Sequence, residues 1–273
     1  MTYVKNTGRK ITQILQVNNL VKTFPISEKQ RKSLGITEKK KTAVAGISFT
    51  AKSGEVFGLL GPNGAGKTTT MRMLSTLIKP DSGDALYNDV SAVKCPEKVR
   101  SSLAFLTADL KLDMKSTASI MYDFFAELYH IPKEDAQKRK TEMFKNFGID
   151  KFADTKIMKL SQGQKQKVSL VISVIHDPQF IIFDEPTNGL DILAARDVRD
   201  FILSMKEQGK CVIISTHLFD LVEKVCDRAA MIIDGKIVVN DTLENLKGGK
   251  PLEDAFYDFY SKYKSEHPDG EGD

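Results

Sequence analysis

The chain has 273 residues, 40 of them basic and 36 acidic, for a net charge of +4, and 41% of its residues are apolar. Those figures fit a globular protein with a sizeable core, and the charge is too balanced to call for nucleic acid by itself. They exclude a disulfide scaffold, because Cys95, Cys211 and Cys226 are odd in number and widely spaced, and no apolar run approaches the roughly 18 residues of a membrane-spanning helix.

Residues 1–13 read as a polar extension, and their opening ten lack the apolar stretch of a signal peptide, which argues against export through one. Ile14 opens a strand expected to end near Phe24-Pro25. Residues 26–42 are basic, with Lys29, Arg31, Lys32, Lys39, Lys40 and Lys41 against Glu28 and Glu38. They read as a solvated loop, with an anionic membrane surface or a partner protein as the alternative role. Two strands follow, over 43–50 and 55–60, joined by a turn at Ser53-Gly54.

The chain is organised around Gly61-Pro62-Asn63-Gly64-Ala65-Gly66-Lys67-Thr68, which follows an apolar strand and precedes the helical run that starts at Thr69. This is G-x-x-x-x-G-K-[ST] in the strand–loop–helix setting the motif requires. Glycines let successive backbone N–H groups converge on phosphate oxygens, and the helix N-terminus adds positive potential. Lys67 can reach the β- and γ-phosphates, and the Thr68 hydroxyl can ligate Mg²⁺. The competing reading is an ordinary glycine-rich turn, and a chance match in a chain this long has odds of about one in a hundred. A nucleoside triphosphate is therefore the expected ligand.

Residues 96–158 change character. Helices are expected over 117–130 and 133–147, the first with Ile120, Met121, Phe124, Phe125 and Leu128 at helical spacing. That stripe reads most simply as core, with a docking groove as the alternative. Gly148 stops the second helix. Alternation of strands and helices resumes after Leu160. Phe180 to Phe183 is apolar on both faces, as in a buried parallel strand, and it ends in Asp184-Glu185. Neighbouring side chains on a strand point in different directions. Asp184 can thus hold Mg²⁺ while Glu185 addresses an attacking water as general base. His217 follows a further buried strand, 211–214, and at the carboxyl end of a parallel sheet it would sit near the γ-phosphate. Helices over 193–206 and 218–226 and a hairpin at Asp234-Gly235 complete the pattern. The acidic residues 265–273 read as disordered.

Taken together these residues resemble the ATP-binding subunit of an ABC transporter. Leu160-Ser161-Gln162-Gly163-Gln164 resembles the family's LSGGQ segment, with glutamine for its first glycine. Pro186-Thr187-Asn188-Gly189-Leu190-Asp191 resembles its D-loop, Ser215-Thr216-His217 its switch histidine, and Phe24 stands where an aromatic stacks on adenine. The resemblance covers about 14–245 and leaves 246–273 as a C-terminal segment. It implies an α/β phosphate-loop core with a mostly parallel sheet, an antiparallel β subdomain and a helical subdomain inserted at about 96–158.

The resemblance implies an ATPase with ATP and Mg²⁺ as ligands. Residues 61–69 and Phe24 would bind the nucleotide, Thr68 and Asp184 the metal, and Lys67, Glu185 and His217 would act in hydrolysis. Two copies, or this chain and a homologous subunit, would sandwich ATP, with Ser161, Gln162, Gly163, Gln164 and Asp191 reaching the partner's nucleotide. Integral membrane permease subunits would be partners, on the cytoplasmic face of the cell membrane. Alanine at position 108, with Asp109 beside it, stands where the family carries a coupling glutamine. That departure, with Leu252 to Phe256, resembles the sodium- and drug-exporter type and favours export. The alternative is a soluble ABC ATPase acting on ribosomes or nucleic acid. A single phosphate loop and a short helical insertion disfavour it, so no nucleic acid is expected.

Overall fold

The chain is described by a computed structural model over residues 12–35, 37–107 and 112–267, the side chains of Gln30 and Leu34 excepted. Two sheets pack against each other. The antiparallel one contains β1 (Ile14–Pro25), β2 (Lys40–Lys52), β4 (Ser82–Tyr87) and the two-residue β5 (Val90–Ser91), in the order β2-β1-β4-β5. The core sheet contains β3 (Val56–Leu60), β6 (Leu103–Thr107), β7 (Phe180–Asp184), β8 (Cys211–Thr216), β9 (Arg228–Ile233) and β10 (Lys236–Thr242). Its order is β10-β9-β3-β8-β7-β6, and every pairing is parallel except the hairpin β9–β10.

The apolar runs explain the layering. In β3, Phe57 and Leu59 face the antiparallel sheet while Val56 and Leu60 face the helices; Phe180 and Ile182 oppose Ile181 and Phe183 in β7, and Cys211 and Ile213 oppose Val212 and Ile214 in β8. A strand covered on both faces has no use for polar alternation. The first face also receives Met71 and Leu74 of α2 (Lys67–Leu74). The second is covered by α7 (Ile192–Glu207), through Val198, Phe201 and Ile202, and by α8 (Phe219–Val225), through Leu221 and Val222. The turn Asp234-Gly235 has positive φ at both residues, 46° and 78°, as a two-residue hairpin demands.

The helical layer contains α4 (Ala118–Leu128), α5 (Lys133–Phe147) and α6 (Gln162–Ser173). Thr117 caps α4 by accepting from the Ile120 N–H, and Gly148 ends α5 in the left-handed conformation. Here the structure corrects an expectation. Ile120, Phe124 and Leu128 are not core but 60%, 59% and 58% exposed, whereas Ala118, Tyr122 and Ala126 face inward. Tyr122 packs edge-on against Phe144 of α5, so the small–aromatic–small stripe is the one that fits the narrow gap between helices.

Other departures are local. Within 96–158, α3 (Pro96–Arg100) leads into β6, which pairs with β7 as the edge of the core sheet; the helices of the helical layer begin only at Ala118. The basic stretch expected as a loop contains a short helix, α1 (Glu28–Leu34), with Glu28 in its first turn and Arg31 and Lys32 in its last, the arrangement the helix dipole favours. After α9 (Leu243–Lys247), α10 (Leu252–Glu266) buries Leu252, Ala255 and Phe256. Ser265 and Glu266, expected in a disordered tail, are helical. Residues 268–273 and 1–11 lie outside the described residues, as do Ala108 and Asp109.

Candidate functional site

β3, β8 and β7 are adjacent and parallel, so the segments leaving their carboxyl ends meet. From β3 the chain enters Gly61–Gly66 and then α2. Gly61 has no room for a side chain: a Cβ would stand 2.3 Å from the Ile232 carbonyl oxygen. Gly66 is at φ +103°, where a Cβ would meet the Ala43 carbonyl oxygen at 2.3 Å. The loop is thus fixed between β9 and β2 in a shape that only glycine permits. Gly66 caps α2 without a side-chain bond, and the first N–H groups of a helix lack intrahelical acceptors. Thr68 and Thr69 stand in this first turn, which opens toward an anion.

Lys67 is buried, and its Nζ donates to Gly61 O at 2.8 Å and Pro62 O at 3.1 Å. It also pairs with Glu185 Oε1 at 3.3 Å. An ammonium surrounded by carbonyls and one carboxylate occupies ground that phosphate oxygens can take over, so the cradle fits a polyphosphate.

Asp184 and Glu185 diverge as strand alternation requires. Buried Asp184 accepts from Ser215 Oγ at 2.5 Å and from Thr68 Oγ1 at 3.2 Å, both on Oδ1. Glu185 turns to Lys67 on one side and, through Oε2, to His217 Nδ1 at 3.0 Å on the other. Its backbone sits at φ +52°, an uncommon conformation for a residue with a side chain. The strain is held by the Glu185 N–H, which donates to Ser215 O at 3.0 Å. Lys67, Thr68, Asp184, Glu185 and His217 therefore form one connected group. The Thr68 hydroxyl and the Asp184 carboxylate are hard oxygen donors suited to Mg²⁺, which keeps several waters and substrate oxygens rather than an all-protein cage. No cluster of three or more His, Cys, Asp or Glu occurs among the described residues.

Phe24 lies near the end of β1, opposite Lys41 on β2 and with Lys22 Nζ 5.7 Å from its ring centroid. Two residues along β2 from Lys41, the Ala43 carbonyl oxygen is the atom that a Cβ on Gly66 would meet. The remaining residues gather elsewhere. Ser161 caps α6 in a reciprocal box, accepting from Gln164 N at 3.2 Å while Gln164 Oε1 accepts from Ser161 N at 2.9 Å. Asp191 caps α7 by accepting from the N–H groups of Leu193 and Ala194 at 2.9 Å. A Cβ on Gly163 would meet Ala194 at 2.9 Å, so the two helix starts lie side by side. Ser161, Gln162, Ile192 and Leu193 are exposed there, Ile192 to 88%. Among the described residues no hydrogen bond or ion pair joins this group to Lys67, Thr68, Asp184, Glu185 or His217.

Ser215 was not singled out from the sequence as a partner of Asp184. Its signal was slight, a hydroxyl two residues before His217 on a strand whose register with β7 the sequence does not state; the observed register sets Ser215 directly opposite Asp184.

The family model for ABC transporters matches residues 44–188. The ATP-binding protein NatA of Bacillus subtilis is 36% identical over 228 residues, which are 82% of this chain and 93% of that protein. The linearmycin resistance ATP-binding protein LnrL of the same organism is 34% identical, over 76% of this chain and 67% of its own length. A solved ATP-binding subunit of an ABC transporter superposes with a TM-score of 0.77 at 24% identity, covering 90% of this chain and 99% of that one.

Proposed function

This chain belongs to the ABC transporter family as an ATP-binding ATPase subunit, and on that premise we propose that two copies close around ATP and use its hydrolysis to drive export through separate membrane subunits. The observation that carries the reading is the convergence of Lys67, Thr68, Asp184, Glu185 and His217 at the ends of β3, β7 and β8.

Binding begins when phosphate oxygens replace Gly61 O, Pro62 O and Glu185 as partners of Lys67. The backbone N–H groups of residues 64–69 receive the rest of the phosphate charge, and Phe24 offers a face for adenine. Thr68 and Asp184 would hold Mg²⁺, which would supply neutralisation of the phosphate charge. Released from Lys67, the Glu185 carboxylate takes a proton from the attacking water as the water oxygen bonds to the γ-phosphorus and the bond from that phosphorus to the β–γ bridging oxygen breaks, releasing ADP. His217 Nδ1 stays hydrogen-bonded to Oε2 and fixes its direction. The α6 start, with Ser161 and Gln162 exposed, Gly163 and Gln164 half-buried and Asp191 beside it, presents a helix N-terminus to solvent, which supports completion of a second copy's nucleotide site. Exposed Ile192 and Leu193 offer apolar contact for the same interface.

The stripe Ile120, Phe124 and Leu128 on α4 supports docking of an integral membrane permease. No helix among the described residues is long and apolar enough to cross a membrane, so the chain would sit peripherally on the cytoplasmic face. Similarity to a protein named for linearmycin resistance fits outward transport. Thr107 ends β6 beside Asp184, and the residues that follow would carry the coupling signal in place of the absent glutamine. The test is phosphate release from MgATP by the purified chain. Lys67→Ala should abolish it with the fold retained by circular dichroism; unchanged release would refute the proposal.

A further inference from the structure

The positive charge of this chain is concentrated in one place. Between Glu28 and Lys41 lie six basic and two acidic residues, a surplus equal to the whole chain's +4, so the remainder carries 34 charges of each sign. β1 and β2 pair as far as Pro25 and Lys40, and the Ile26 N–H donates to Lys39 O at 2.8 Å. The residues between therefore form a tip beyond the end of the antiparallel sheet. Lys29, Lys32 and Lys39 are exposed on it, and Lys40 and Lys41 are exposed at its base, where β2 begins. Lys32 pairs with Glu28 at 2.9 Å, while Lys29, Lys39, Lys40 and Lys41 form no ion pair among the described residues. Like charges held this close repel one another, and an anionic surface would relieve that repulsion.

We propose that this tip binds the anionic headgroups of a phospholipid bilayer. The inference rests in part on the proposed function, because docking to permease subunits holds the chain beside a membrane. The composition of the tip selects the occupant. No aromatic side chain occurs between Glu28 and Lys41, so the tip lacks the stacking platforms on which single-stranded nucleic acid is bound. It also lacks the aromatic anchors that dominate protein interfaces. A bilayer asks for neither: four to eight clustered Lys and Arg suffice, each adding to the attraction independently of register. Such an attraction fades over a Debye length and is screened by salt.

The test is flotation of the purified full-length chain with vesicles of phosphatidylcholine alone or with about 30% phosphatidylglycerol, an anionic fraction sufficient to set a negative surface potential. The chain should float with the anionic vesicles at low salt, stay behind with neutral ones, and be released by high salt. Replacing Lys29, Arg31, Lys32, Lys39 and Lys40 by Gln should lower the partition coefficient by more than about a hundredfold. Replacing the four lysines by Arg should preserve it. Soluble ATP hydrolysis should be unchanged in both variants, so loss of vesicle binding is read separately from loss of the ATPase. Equal partition onto neutral and anionic vesicles, no partition at all, or full retention by the glutamine variant would overturn the proposal. So would salt-sensitive binding of RNA or DNA without vesicle binding.

Discussion

Glu185→Gln separates two roles that the geometry gives one carboxylate. Glutamine keeps the size of the side chain and can still hydrogen-bond His217, so the change removes charge and basicity with little else. In its proposed role as general base the carboxylate would account for about 10²–10⁴ in rate, so turnover should fall by that factor. Affinity should move the other way. Lys67 and Glu185 stand 3.3 Å apart with side chains 5% and 16% exposed, so their direct attraction is about 5 kcal/mol at an effective dielectric constant of about 20. Most of that is offset by desolvation of the two ions. A net of about 1 kcal/mol opposes any ligand that must take Lys67 for itself, so the variant should bind ATP about fivefold more tightly. Phosphate release at saturating MgATP measures the first effect. Titration with a fluorescent ATP analogue in the absence of metal, where no hydrolysis intervenes, measures the second. Turnover within about fivefold of the parent would refute the assignment of the base, and weaker metal-free binding would refute the resting ion pair.

Ser215→Ala removes the shortest bond to Asp184 and leaves that carboxylate to Thr68. Stability should fall by about 1–3 kcal/mol, and the Mg²⁺ needed for half-maximal hydrolysis should rise about tenfold; an unchanged Mg²⁺ requirement would show that Asp184 is not the metal ligand. His176 is stacked on Tyr129 with Nε2 3.2 Å from Leu103 O, and burial holds its pKa below the ordinary 6.5. The unfolded chain therefore takes up a proton that the folded one resists, so its contribution to stability is complete above 6.5 and declines as pH falls below it. Urea midpoints at pH 7.5 and about 5.5 should show a loss that His176→Gln reduces.

Much of this was legible because the chemistry is local. The Gly61–Thr68 loop, the Asp184-Glu185 strand end and the Asp234-Gly235 turn each carry their reason within a few residues, and the runs at 180–183 and 211–214 announce strands covered on both faces. What failed depended on packing partners. Ile120, Phe124 and Leu128 form as good a helical stripe as the one that is buried, and only the narrow fit of Ala118, Tyr122 and Ala126 against α5 decides between them. Ser215 needed the register of β7 with β8. The α1 helix is too short to show a period. By contrast α10 was missed although Leu252, Ala255, Phe256, Phe259 and Tyr260 lie at helical spacing after Pro251, a pattern the sequence alone displays.

Exposed Ser161 and Gln162 at the start of α6, with no bond among the described residues to the chain's own Lys67 site, underlie the proposal that each copy completes the other's ATP site. Light scattering of the Glu185→Gln variant tests it most directly. The variant should show a molar mass of 30.4 kDa without nucleotide, twice that with ATP, and a return to the single-chain value when Ser161→Arg is added while ATP binding persists. A mass that stays at the single-chain value with saturating ATP, or a dimer indifferent to Ser161→Arg, would contradict it.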